Sequence, residues 1–138
     1  MLLIVVVALI TSCKADDSWK VKLEDPNLFI DAMKNLSDIV VYDIFSPPVA
    51  SRVYLYPSVA AYEIMRQATP ARYNTLSGQV KDLTSVPAPT NSKVNFHLAS
   101  LMAFNAMGKQ LIFSEDKMEA FQADLEQKVR AMGVPRGV

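Results

Sequence analysis

Cysteine, histidine and glycine are scarce in this 138-residue chain: it has one Cys, one His and four Gly. A single cysteine excludes an intramolecular disulfide and a cysteine-based zinc site, so stability must come from packing. A single histidine, His97, leaves no second imidazole for paired acid and base work. Net charge is absent too, since 14 basic residues balance 14 acidic ones. No basic stripe interleaves with aromatics, which excludes an electrostatic footprint for nucleic acid. No apolar run reaches the length needed to cross a hydrocarbon core of about 30 Å as a helix. The chain length suits one modest domain.

What is present begins with a targeting signature. Leu2 to Ile10 is an uninterrupted apolar run of the length of a secretory signal core, although Met1-Leu2-Leu3 lacks the usual positive charge. Ile10-Thr11-Ser12-Cys13 follows, small residues before the lone thiol. This pattern resembles a lipoprotein processing site. It implies a signal peptide over 1–12, Cys13 as the lipid acceptor, and an envelope protein lipid-anchored to the membrane outside the cytoplasm. Residues 13–25 then read as a polar tether. Lys14-Ala15-Asp16-Asp17 is similar to the surface-export signals of lipoproteins in the Bacteroidetes group.

From Pro26 onward the periodicity is helical. Phe29, Met33, Leu36, Val40 and Ile44 recur at spacings of three and four, which predicts an amphipathic helix ending before Ser46-Pro47-Pro48. The residue before a proline is pushed out of the α region, so Ser46 and Pro47 form a boundary and Pro48 opens the next helix. That helix runs over Val49 to Ala68, with a kink expected near Tyr56 because Pro57 lacks an amide proton. Thr69 to Ser92 is rich in Pro, Ser, Thr and Asn and reads as one long loop, with room for a short helix within Tyr73 to Leu83. Asn95 to Phe113 is apolar on nearly all sides, and Ala99, Ala103 and Ala106 offer a strip for close helix approach. Ser114 is placed as an N-cap for a last helix with a stripe of Met118, Phe121, Leu125, Val129 and Met132. Exposed pairs Asp124 with Lys128 and Glu126 with Arg130 support it, and Gly133 and Pro135 stop it. The fold class is all-α, a bundle of about four main helices with one long loop.

The candidate chemistry is sparse. His97 sits beside Phe96 and Leu98 with no Ser, Cys or carboxylate in a recognised arrangement, and reads as a packed or capping residue. Glu115, Asp116 and Glu119 match the solvated first turn of a helix better than a metal cluster. Arg52, among apolar neighbours, is expected to form a structural ion pair with Asp43 or Glu63 that holds the Pro47-Pro48 corner. The tyrosines and methionines read as packing residues. No catalytic, cofactor-binding or metal-ligating residue is assigned.

Two strings carry a family resemblance: DIFSPPVASR, within Val41 to Glu63, and IFSEDKM, within Leu111 to Phe121. With their surroundings they resemble the N-terminal part of secreted bacterial vanadium-dependent haloperoxidase-like proteins of the PAP2 acid phosphatase superfamily. The resemblance implies a site that holds phosphate or vanadate with Lys and Arg, one histidine as nucleophile or ligand, and a second as acid or base. The motifs of that site are absent here: Lys128 is followed by Arg130 without an Arg-Pro pair, and Leu76-Ser77-Gly78 continues to Gln79 instead of a histidine. The expectation is therefore an N-terminal helical scaffold, inactive alone, whose partner is a missing C-terminal catalytic half. Vanadate would belong to the full-length parent. Whether that parent is a phosphatase or a haloperoxidase stays open. The alternative is a complete, non-enzymatic helical lipoprotein acting as an interaction module.

Overall fold

The computed structural model describes residues 17–90 and 93–135. Cys13 and the signal segment 1–12 lie outside the described residues. Among the described residues five helices follow one another: α1 Ser18–Leu23, α2 Asn27–Tyr42, α3 Pro47–Met65, α4 Phe96–Lys109 and α5 Glu115–Ala131. A 3-10 turn, Arg66–Ala68, ends α3. No strand occurs among the described residues, only an isolated bridge between Ser77 and Val80. The fold is all-α.

The stretch read as a polar tether is partly folded. Trp19 and Leu23, four residues apart on one face of α1, are both buried in the core, because i and i+4 side chains share a face and both are large and apolar. Among the described residues the first helix thus starts at Ser18.

On α2 the buried residues are Leu28, Ala32, Leu36, Ile39 and Val40, with Phe29 and Met33 packed at their edge. Ile44 departs from the periodic reading: it is 88% exposed. The helix has already closed in a Schellman arrangement, with the Phe45 amide donating to the Val40 carbonyl (3.2 Å) and the Ile44 amide to the Val41 carbonyl (3.2 Å). That motif needs a left-handed residue at the position Ile44 occupies, and its φ is +56°. A β-branched residue there costs about 1–2 kcal/mol relative to glycine.

α3 begins one residue earlier than the sequence suggests, at Pro47, with Pro48 second and Ser46 extended before them. Both prolines fall where the amides would be unpaired in any case. The helix runs unbroken through Pro57, whose ring is buried, while the Ser58 hydroxyl donates to the Tyr54 carbonyl (2.7 Å) within that turn. α3 packs chiefly against α4, and α2 lies against α4 and α5.

α4 is capped by Asn95, whose side-chain oxygen accepts from the Leu98 amide (3.0 Å). Of the alanine strip, Ala99 and Ala103 are half-buried and Ala106 is exposed, while Gly108 is buried against Leu36 and Met118. A methyl at Gly108 would stand 3.4 Å from Met118 Cε and 3.5 Å from Leu36 Cδ1, so three helices converge where the side chain is smallest. Phe104, fully buried, meets Phe29 edge-on at 4.9 Å between ring centres. On α5, Met118, Leu125 and Val129 are buried and Phe121 and Met132 half-buried. Arg130 pairs with Glu126 as the spacing suggests, but Lys128 reaches Asp31 on α2 (3.6 Å) and not Asp124.

Candidate functional site

Two carboxylates organise the connections between helices, and neither was singled out as a site by the sequence. The first is Glu63 on α3, 1% exposed. It accepts from Arg66 Nε (2.7 Å), from the Thr75 hydroxyl (3.0 Å) and from the Leu76 amide (2.6 Å). Around it the Tyr62 hydroxyl donates to the Asn74 carbonyl (2.8 Å) and the Gln79 side chain to the Thr75 carbonyl (2.6 Å). Tyr73 to Leu83, where the sequence leaves room for a short helix, forms a series of turns, since side chains satisfy the backbone groups that a helix would otherwise pair. Burial alone would push the Glu63 carboxyl up, but Arg66, the Leu76 amide and Thr75 outweigh it and hold it below 4.5.

The second is Asp43, the C-cap of α2. It accepts from the Phe113 amide (2.8 Å), the Ser114 amide (3.1 Å) and the Ser114 hydroxyl. Ser114 therefore precedes α5 as expected, yet its hydroxyl serves Asp43 rather than capping its own helix. Lys117 stands 4.1 Å from the centre of the Tyr42 ring beside this contact, and Phe45 stacks on Phe113 at 4.9 Å. The two strings that carry the family resemblance thus meet: Asp43 opens one, and Phe113 and Ser114 belong to the other. Burial raises the Asp43 carboxyl, and the three hydrogen bonds with Lys117 lower it more, to below 3.8.

Asp43→Ala should cost about 1.5–3 kcal/mol of unfolding free energy, the usual worth of hydrogen bonds to a charged group. Urea denaturation at neutral pH checks it. Because the folded carboxyl titrates below its ordinary value, the contribution is complete above about 3.8 and fades as pH falls through the folded value. A variant as stable as wild type would show that the corner is held by other contacts.

Arg52 does not hold the corner. It is exposed on α3, and both carboxylates offered as partners are engaged elsewhere, Glu63 with Arg66 and Asp43 with Ser114. Pro47 and Pro48 shape the turn without it.

His97 lines an apolar groove of about 400 Å³ together with Leu23, Phe29, Tyr62, Met65 and Leu101. No nucleophile is aimed at its ring: the Ser100 hydroxyl donates to the His97 backbone carbonyl (2.9 Å), and Tyr62 is taken by Asn74. Glu24 and Asp25 lie on the same groove. Two of the three acids on α5 share a lysine, since Lys109 Nζ lies 2.5 Å from Glu119 and 3.6 Å from Glu115. The hydrogen bond to Glu119 raises the Lys109 ammonium above its ordinary value. Among the described residues no three His, Cys, Asp or Glu side chains gather as a metal site, and no helix is long and apolar enough to cross a membrane.

This order of helices, clamped at the two strings, is a haloperoxidase-like helical domain. It is similar to a solved structure of a bacterial vanadium-dependent iodoperoxidase, 42% identical with a TM-score of 0.72. The match covers 78% of this chain but only 26% of that one, so the chain spans about a quarter of that protein's length. No family model matches the chain, and no curated protein matches it.

Vanadate is an anion, and its site needs converging cations beside histidine. The described residues do not fit it: Arg66 is committed to Glu63, Lys109 to Glu119, and His97 shares its groove with Glu24 and Asp25.

Proposed function

We propose that this chain is the N-terminal helical scaffold of a vanadium-dependent haloperoxidase-like enzyme whose catalytic residues lie elsewhere in a longer polypeptide. The observation that carries the reading is the 42% identity to an iodoperoxidase over 78% of this chain. The identity favours halide oxidation, iodide first, over phosphate-ester hydrolysis as the parent's activity. Vanadate would be held by residues outside this chain, and the partner of these helices is the remaining catalytic part. With them we propose a lipid anchor on Cys13 and a place in the cell envelope outside the cytoplasm; labelling with a radioactive fatty acid that survives in Cys13→Ala would refute the anchor.

The 138-residue chain alone should oxidise neither iodide nor bromide with vanadate and peroxide, and should hydrolyse no phosphomonoester. Turnover above the buffer rate in either assay overturns the scaffold reading. Gene sequence downstream of the Val138 codon tests it against a complete, non-enzymatic interaction module. A Ser-Gly-His triplet and a second histidine are expected there, and a stop codon with neither would favour the module.

A further inference from the structure

The outward face of α3 is largely apolar. With 100° per residue, Pro48, Arg52, Leu55 and Val59 fall on one line, flanked by Val49 and Tyr56, while Val53, Pro57 and Ala61 face the core. Leu55 is 55% exposed and Tyr56 45%. A helix apolar on both sides is normally covered on both sides, and this face extends over about 16 Å at 1.5 Å per residue. The outward face of α2 mixes exposed Ile30, Val41 and Tyr42 with the Lys34–Asp38 pair, and α5 carries the Glu126–Arg130 pair outward.

One charge interrupts the apolar face. Arg52 is exposed at its middle, and among the described residues no carboxylate lies within ion-pairing distance of it. A cation covered by a partner needs a carboxylate with it, because burying it unpaired is costly. From Pro47 to Val59 there is no Asp or Glu, so the same face of a second copy could not supply one and would set Arg52 near its own counterpart. The electrostatics reject self-pairing.

We infer that the outward face of α3 is covered by an apolar helix carrying a carboxylate opposite Arg52, contributed by the remainder of the haloperoxidase-like polypeptide. This rests on the scaffold reading above. The matched region is 26% of the iodoperoxidase chain, which leaves about three-quarters of such a protein to provide the covering helix. The α3 face therefore sets which surface the catalytic part meets, and Arg52 sets the register of that contact.

The test mixes the 138-residue chain with the separately produced part of that iodoperoxidase lying outside the matched region, and follows co-elution by gel filtration and affinity by titration. Wild type should bind. Leu55→Asp and Arg52→Glu should each weaken binding at least tenfold, Arg52→Lys should retain most of it, and Lys34→Glu on α2 should leave it unchanged. All three substituted positions are solvent-exposed, so thermal unfolding of each variant serves as the check on folding. Binding that survives both Leu55→Asp and Arg52→Glu overturns this inference while sparing the scaffold reading. Failure of wild type to bind overturns this inference, while the gene sequence downstream of the Val138 codon tests the scaffold reading separately. Self-association of the chain alone, abolished by Leu55→Asp, would overturn it in favour of a second copy.

Discussion

Glu63→Ala is expected to lower the unfolding free energy by about 3–5 kcal/mol, the cost of breaking a buried ion pair from one side. The loss has three parts. Arg66, whose side chain is only 15% exposed, keeps its charge without its partner. The Leu76 amide and the Thr75 hydroxyl lose their acceptor. Since small domains are stable by only about 5–15 kcal/mol, the variant should be near its folding limit, and the turns that follow α3 should become sites of proteolysis. Urea denaturation with limited digestion reads both effects. The sign with pH is fixed by the lowered carboxyl: the contribution is full above 4.5 and is lost as pH falls through the folded value. The gap between wild type and variant should therefore narrow in acid. A gap that stays constant from neutral pH to about pH 3 would mean that the charge of Glu63 is not what binds the loop.

Phe104→Ala should cost a similar amount, about 3–5 kcal/mol, by a different route. Phe104 is fully buried on α4, edge-on to Phe29 of α2. Leu36, Ile39 and Met118 are likewise fully buried, so the surroundings have little slack with which to fill the void. Nothing in this interaction titrates, and its cost should be the same in acid as at neutral pH. The pair of variants thus separates packing from electrostatics on one instrument. A loss under about 1 kcal/mol would contradict the packing of α2 against α4, since even an Ile to Val change in a core reaches that size.

Much of the fold is legible in the sequence because hydrophobic period and proline placement are local signals. The Ser46-Pro47-Pro48 boundary, the α5 stripe and the all-α class follow from them. Ile44 does not, because the rule for a helix end places glycine in the left-handed position and here the chain accepts a strained isoleucine. Ser114 and Arg52 depart from their expected roles for a related reason. A hydroxyl before an acidic turn suggests a cap, and an arginine among apolar residues suggests an ion pair, but each depends on what another segment offers. Asp43 takes the hydroxyl from 71 positions away, and Glu63 prefers Arg66 three residues along. Glu63 itself carried one faint signal, a lone acid within the apolar run Ala60-Ala61-Tyr62-Glu63-Ile64-Met65. No catalytic residue is read from the sequence, because the Arg-Pro pair, the Ser-Gly-His triplet and the second histidine that the family resemblance implies do not occur in it.

The tie between Asp43 and Ser114 also has a kinetic meaning. Closing a loop of 71 residues forfeits chain entropy before any bond is gained, whereas Glu63 meets Thr75 and Leu76 across only 12 and 13 positions. Local contacts form first and distant ones last, so the corner is a late latch on a bundle already assembled. Removing it should accelerate unfolding and leave the folding rate nearly unchanged, which places Asp43→Ala on the unfolding limb of a chevron plot.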